Sequence, residues 1–410
     1  MPTTADSPAT ETTSGTTTMR ALTVDVQRDP WDQTTGMVMR DVPRPTLDEA
    51  SDPTDSEAVL IRVIYAGFCG SDRGIWWRKS FKDMIHDSLA MEGATTRTIG
   101  HEIAGEIVDA GRIAQQRWGM KPGRIVSTES HIICGKCYQC RLGDTHVCAN
   151  DKIIGISTNG GFAEYIKLPA SVLWPTDITK VRLEVAALQE PFGNAVHCCQ
   201  VADLRGRTVV IVGTGTIGLF TVLAAKALGA ACVIGLDPLP RHLEMAKKLG
   251  ADEVIPIDLK RAPVDPSKPW KADPQLVKQV LELTRGRGAD VAIEMAGSNQ
   301  SLNNAIKMTR RGGTTILFGL RNDDFVIEDY HRVIMNGLKL HSVIGRRIFD
   351  TWTLTQSLLE NPGTGIAQAI WDVILNGGDG PVVDFDSFEP AAFEKVLREW
   401  PKAVLRIGKP

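Results

Sequence analysis

The chain has 410 residues, 43% hydrophobic and 23% charged, with a formal net charge of −3. That length holds two or three domains with full cores, and the balance is that of ordinary globular protein. The small net charge gives no electrostatic case for nucleic acid or a membrane surface as partner, and no apolar run approaches the length of a bilayer span.

Residues 1–18 are rich in Thr, Ser, Ala and Pro and read as a disordered tail. They lack the basic and apolar regions of a signal peptide and the arginines of a transit peptide. Folded structure is expected from Met19. Residues 19–68 are β-rich, with ALTVDV and AVLIRVIYAG separated by the Pro/Asp-rich stretch Pro43 to Asp55. The second run delivers Cys69 in GFCGSDRGIWW. The long loop after it carries Trp76, Trp77 and His86, and is either an excursion packed by its own aromatics or a lid over a pocket.

GHEIAGEIVDAG follows, Gly100 to Gly111. A thiolate at Cys69, an imidazole at His101 and carboxylates at Glu102 and Glu190 make a mixed-ligand zinc set. About three protein ligands leave one position open, as catalytic zinc requires. Alone, His101 reads as readily as a buried structural histidine. Asp72, close behind Cys69, offers a carboxylate to orient a ligand histidine.

Cys134, Cys137, Cys140 and Cys148 fall within fifteen residues, half of the chain's eight cysteines. Four thiolates so close together form the closed tetrahedral shell of structural zinc. An iron–sulfur cluster is the other four-sulfur option, but the bacterial ferredoxin run brings its fourth cysteine sooner. Cysteines used as metal ligands indicate a reducing compartment, here the cytoplasm. After the lobe, ALQEPFGNAVHCCQ places Glu190 ahead of an apparent helix, on which Cys198 and Cys199 read as core.

From residue 207 strands and helices alternate. RTVVIVGTGTIG runs as a strand into Gly213-x-Gly215-x-x-Gly218, a helix follows, and Asp237 ends the next strand nineteen residues after the last glycine. That context is the dinucleotide fingerprint. The pyrophosphate sits at the helix N-terminus, and Asp237 accepts from the ribose hydroxyls and repels a 2′-phosphate, which favours NAD over NADP. EVIPID, DVAIEMAG, GTTILFGL and LKLHSVIG complete six strands. Residues 259–275 read as a surface insertion. The closing AVLRIG reads as a strand returning to the first domain.

The motifs GFCGSD, GHE, the four-cysteine lobe, QEP and GTGTIG, in that order, resemble the zinc-containing medium-chain dehydrogenase/reductase family from about Met19 to Gly408. The resemblance implies an α/β protein: a GroES-like β-rich catalytic domain, residues 19–190 and 346–410, and a Rossmann doubly wound parallel-sheet domain, residues 191–345. It implies catalytic zinc on Cys69, His101 and Glu102, with Glu190 as an exchanging ligand or proton-transfer group, and structural zinc on the four lobe cysteines. It implies an NAD site formed by Gly213, Gly215, Ile217, Gly218, Asp237 and His242, with Phe318, Gly319, Leu320, Val343 and Ile344 on the nicotinamide side.

HIICGKC, QEPFGNAVH and GRRIFDTW resemble most the branch that oxidises L-threonine. By that resemblance His131 lies beside the catalytic site. Arg346 meets a substrate carboxylate, to which a guanidinium fork is suited, or equally forms a domain-interface salt bridge. Two departures stand out. Ser71 keeps the hydroxyl of the branch's proton relay, but Gly74 occupies its histidine position, so water, His131 or His86 completes the relay or the substrate differs. His242 replaces an arginine near the ribose, where Arg241 is the available substitute. A small-molecule alcohol substrate and a homotetramer are implied. The competing readings are a zinc- and NAD-dependent polyol or sugar dehydrogenase and a non-catalytic NAD-binding protein, against which the intact ligand set argues.

Overall fold

The computed structural model describes residues 17–261, 263, 265–321 and 324–409. The expected N-terminal tail lies outside them as far as residue 16. The chain enters β1 (Thr18–Asp25), which pairs antiparallel with β2 (Val38–Pro43). The longest strand, β3 (Ala58–Phe68), is buried along almost its whole length. A continuous apolar run rather than a strict alternation suits a strand covered on both faces.

The stretch expected as a loop is helical. α1 (Gly70–Trp76) and α2 (Lys82–Glu92) lead into β4 (Thr96–Thr98). α1 contains two glycines and is too short to hold itself in water. Burial decides it: Ile75 and Trp76 sink into the core, where Trp76 packs against Phe68 and Phe393. Trp76 is therefore core, and Trp77 packs half-buried against the same cluster. Next come β5 (Glu102–Ala110), α3 (Arg112–Trp118) and β6 (Ile125–Thr128). The cysteine lobe lies between β7 (His131–Ile132) and β8 (Lys152–Ile153) and contains α4 (Tyr138–Leu142). β9 (Tyr165–Pro169), β10 (Leu173–Pro175), α5 (Leu183–Ala186) and α6 (Gln189–Gln200) follow.

The alternating region builds β11 (Thr208–Val212), α7 (Thr216–Ala227), β12 (Cys232–Asp237), α8 (Pro240–Lys248), β13 (Glu253–Pro256) and α9 (Pro274–Leu283). It continues through β14 (Ala289–Glu294), α10 (Asn299–Met308), β15 (Thr309–Leu317), α11 (Tyr330–Met335) and β16 (Lys339–Ser342). These six strands are the six the sequence marks. They lie wholly parallel in the order β13-β12-β11-β14-β15-β16. The order reverses between β11 and β14, and open α/β sheets bind ligands at such a switch. α10 has no apolar run of its own; Ser298 and Ser301 start it with a reciprocal capping box.

After α12 (Asp350–Glu360) the chain returns through β17 (Val382–Asp384), a last helix (Pro390–Glu399) and β18 (Ala403–Arg406). The large mixed sheet runs β10-β6-β5-β3-β18-β17, with β9 also on β3. Its register positions the site. Gly67 of β3 faces Glu102 of β5 on one side, and Phe68 faces Ala403 of β18 on the other. The residues just beyond these pairs, Cys69, His101 and Lys402, are thereby gathered at one end of the sheet.

Candidate active site

Cys69 leaves β3 and caps α1, its N–H donating to Asp72 Oδ2 at 2.8 Å. The ligand atoms of Cys69, His101 and Glu102 all lie within 4.8 Å of one another. His101 Nδ1 faces Asp72 Oδ1 at 3.6 Å, and its Nε2 lies 3.5 Å from Ser71 Oγ. Thiol, imidazole and carboxylate are the donors of catalytic zinc. Two further observations fit a cation here. Glu102 Oε1 and Glu190 Oε2 are buried with no hydrogen-bond partner among the described residues, a costly state that a metal relieves. Burial works against charge on His101, yet Asp72 and Cys69 push its pKa up to about 10, so the surroundings are strongly negative.

Glu102 also has a cationic partner that sequence reading missed. The buried Lys402 Nζ donates to Glu102 Oε2 and, at 3.2 Å, to the Phe68 carbonyl. The only local signal was a lysine directly ahead of an apolar closing strand.

Glu190 stands in the first turn of α6 and is tied to Arg346 through Oε1 at 2.8 Å. Arg346 is buried, makes four hydrogen bonds and is ion-paired with two carboxylates. Nε and one NH2 proton form a fork on Glu129, the other NH2 proton meets Ser130 Oγ at 2.8 Å, and NH1 serves Asn194 Oδ1 at 2.9 Å and Glu190. Its charge is already compensated by Glu129 and Glu190. The residue instead takes the other expected form, a buried ion pair bridging two parts of the chain. Glu129, which also accepts from Trp352 Nε1 at 2.7 Å, was not marked by the sequence. Burial alone would raise its pKa, but the Arg346 guanidinium holds it down at about 2.

His131 adjoins this network: its backbone N–H donates to Glu129 Oε1 at 3.2 Å, and its Nδ1 lies 2.6 Å from Asp151 Oδ2. Gly74 explains its own departure. A Cβ there would stand 2.0 Å from Ser80 Oγ. The turn at Arg78 and Phe81, both with positive φ, folds Ser80 onto α1 and occupies the space a larger side chain would need.

The three fingerprint glycines open α7. Gly213 has φ +100°, a Cβ on Gly218 would stand 2.1 Å from the Gly213 carbonyl oxygen, and a Cβ on Gly215 would meet open space. Ile217 is in the first turn of that helix. Asp237 ends β12 and accepts from Thr214 N at 2.8 Å, Leu239 N at 2.9 Å and His242 Nδ1 at 3.1 Å. Arg241 turns away from Asp237: it donates to the Glu399 carbonyl at 3.0 Å and lies over the Trp400 ring. Phe318 and Gly319 follow β15, with their N–H groups on the Glu294 carbonyl. Val343 is buried, whereas Leu320 and Ile344 are 81% and 52% exposed.

In the lobe, the four Sγ atoms also lie within 4.8 Å of one another. Cys137 Sγ and Cys148 Sγ are 3.8 Å apart. A disulfide needs about 2 Å, whereas zinc–sulfur bonds of about 2.3 Å in a tetrahedron separate sulfurs by about 3.8 Å. Backbone N–H groups of Lys136 and Cys137 lower the Cys134 pKa to about 6, which readies a thiolate. Cys198 and Cys199 are core residues, and burial pushes the Cys199 thiol up to about 12.

The family model of the alcohol dehydrogenase GroES-like domain matches residues 55–178, and that of zinc-binding dehydrogenase matches residues 216–361. The chain is 33% identical to the L-threonine 3-dehydrogenase of Caldanaerobacter subterraneus subsp. tengcongensis over 83% of its own length and 87% of that protein's. It is 37% identical to the L-threonine 3-dehydrogenase of Symbiobacterium thermophilum over the same shares. The solved structure of an alcohol dehydrogenase from Thermus sp. ATN1 superposes with a TM-score of 0.75 at 23% identity, covering 95% of this chain and 100% of that one. The α/β fold, with its GroES-like part and parallel Rossmann sheet, is the one expected. The chain belongs to the zinc-binding dehydrogenases with an alcohol-dehydrogenase GroES-like domain, the zinc-containing medium-chain dehydrogenase/reductase family that its motif order resembles.

Proposed function

We propose that this enzyme transfers a hydride between the secondary hydroxyl of L-threonine and NAD, giving 2-amino-3-oxobutanoate in the oxidative direction. The observation that carries the reading is the convergence of Cys69, His101 and Glu102 in a chain 33% and 37% identical to two L-threonine 3-dehydrogenases. Cys69, His101 and Glu102 would hold zinc, which when bound would supply a Lewis acid that lowers the pKa of an alcohol oxygen. NAD, when bound, would supply the hydride acceptor. Ser71, beside His101 Nε2, takes the proton of the alcohol and passes it outward through water, because Gly74 offers no side chain. Glu190 presents a free Oε2 for the substrate ammonium or for exchange onto the metal, with Arg346 fixing its other oxygen. The His131–Asp151 pair borders this group and shapes substrate choice.

The α7 glycines, with Ile217, receive the pyrophosphate. Asp237 and His242 face the ribose, which favours NAD over NADP, and Phe318, Gly319, Leu320, Val343 and Ile344 flank the nicotinamide. The division at residues 190/191 and 345/346 separates a catalytic from a coenzyme domain. The enzyme works in the cytoplasm as a homotetramer. A contact between copies is supported by β16, an edge strand exposed at all four residues with Ile334 and Met335 exposed in the helix before it.

Polyol or sugar oxidation is the second reading, favoured by the Arg346 charge being already paired with Glu129 and Glu190. A substrate panel with NAD and NADP, with and without a zinc chelator, separates the two. Turnover of sorbitol or glucose with none of L-threonine sinks the first. Cys69→Ser should abolish turnover and leave NAD binding intact; unchanged turnover refutes the zinc mechanism.

A further inference from the structure

Glu294 is a buried carboxylate, 3% exposed, to which the proposed reaction gives no part. It ends β14, the strand beside β11 across the point where the order of the parallel sheet reverses. Its side chain and its backbone hold different turns. Oε1 accepts from the N–H groups of Ala296 and Gly297, both at 2.8 Å, and from Ser301 Oγ at 2.6 Å in the first turn of α10. The backbone carbonyl accepts from Phe318 N at 3.0 Å and Gly319 N at 3.1 Å, in the turn after β15. The two turns touch, since a Cβ on Gly319 would stand 2.2 Å from Gly297 N and 2.6 Å from Glu294 Oε2. One residue at the carboxyl edge of the sheet thus sets both turns and their fit to each other.

We propose that Glu294 is the positioning residue for the nicotinamide riboside half of the coenzyme. The proposal deepens the NAD reading above and rests on it. Asp237 ends β12 on one side of β11, and β14 and β15 lie on the other. A dinucleotide with its pyrophosphate at α7 and one ribose at Asp237 therefore lays its other half over the ends of β14 and β15. Those ends carry the turns 295–297 and 318–320, and Glu294 lies beneath both. Burial raises the Glu294 pKa, and the donors from Ser301, Gly297, Ala296 and Gly319 work against that rise. Burying a carboxylate is costly; this one supplies two acceptor oxygens where every neighbour named is a donor. A glutamine amide has one oxygen and two N–H donors. With its oxygen kept on Ala296, Gly297 and Ser301, its NH2 group points at Gly319 and pushes the 318–320 turn away. The α7 glycines and Asp237 stay where they are.

The test compares two ligands on the whole enzyme. NADH spans both halves of the site and is followed by its fluorescence. ADP carries the adenosine and two phosphates with nothing beyond them and is followed by calorimetry. Glu294→Gln should weaken NADH about ten-fold or more and ADP by less than about two-fold. Glu294→Asp keeps both oxygens but draws them back by one methylene, and should show the same split at about three-fold or more. A residue that only holds the sheet together would weaken both ligands alike, so an equal loss on NADH and ADP overturns the positioning role. NADH binding unchanged in both variants overturns it too, as does loss of folding in both, which would make Glu294 a core residue. A wild type that does not bind NADH overturns the functional reading itself, before any substitution is read.

Discussion

Glu129 is a single side chain on which two distant parts of the chain depend. It is fully buried between Arg346 and Trp352. Removing one partner of such a buried pair costs about 3–5 kcal/mol, because the other charge is left without compensation. Its folded pKa lies at about 2, below the ordinary 4.5. The stabilisation is therefore complete above the ordinary carboxylate range and is lost as pH falls from there toward about 2. Glu129→Gln should lower stability in urea at pH 7 by about 3 kcal/mol, and the gap to wild type should close as the solution is acidified through that window. A gap that persists at pH 2 contradicts the assignment. Asp237 is the second decisive residue. Its carboxylate is held by three donors, and the proposed function sets it against the ribose. Asp237→Ala should raise the NADP-to-NAD ratio of kcat/KM about ten-fold or more, about 1.4 kcal/mol of discrimination. A wild type that already prefers NADP refutes the reading.

At the scale of the element, α1 shows tertiary contact overruling local preference. Its cap residue is Cys69 of the proposed metal set, its Asp72 accepts from the cap N–H and faces His101, and its outer face is closed by Ser80. Gly74→Ala forces a Cβ into the Ser80 hydroxyl. Because the Ser80 hydroxyl can rotate away and alanine is the better helix former by about 1 kcal/mol, the net cost in thermal or urea unfolding should stay below about 1 kcal/mol. Ser80→Gly in the same chain should return most of that loss; if it does not, the helix itself rather than the collision is responsible. The motif GFCGSDRG does not reveal this, because Ser80 reaches Gly74 only through the left-handed turn at Arg78 and Phe81.

For the whole molecule, the six-stranded parallel sheet ends in β16 with no neighbour beyond it among the described residues. An exposed strand edge flanked by apolar side chains is a pairing surface that folded chains cover or blunt. Leu340 lies on that strand and Ile334 and Met335 lie on α11 just before it. Leu340→Lys should shift the mass by light scattering from the proposed tetramer to a smaller species without changing the circular dichroism. A mass that stays unchanged places the contact between copies elsewhere.

What the sequence determined by itself lies close together along the chain. The four lobe cysteines, the three glycines before α7 and the strand-ending Asp237 are short spacings that one turn, one loop or one βαβ unit imposes directly. Glycines that need a positive φ or a close approach, and thiols that need a tetrahedron, restrict residue type locally. The six strands of the parallel sheet were legible for the same reason, since a buried parallel strand is a continuous apolar run. Only the tertiary structure decided which charges meet. Lys402 lies 300 residues from Glu102, and Arg346 lies 217 residues from Glu129. Those pairs depend on β3 being flanked by β5 and β18 in one register and on the chain crossing back from the parallel sheet. No local spacing encodes either condition, so Arg346 reads in sequence equally as a ligand for a substrate carboxylate or as a domain-interface salt bridge, and in the fold it pairs with Glu129 and Glu190.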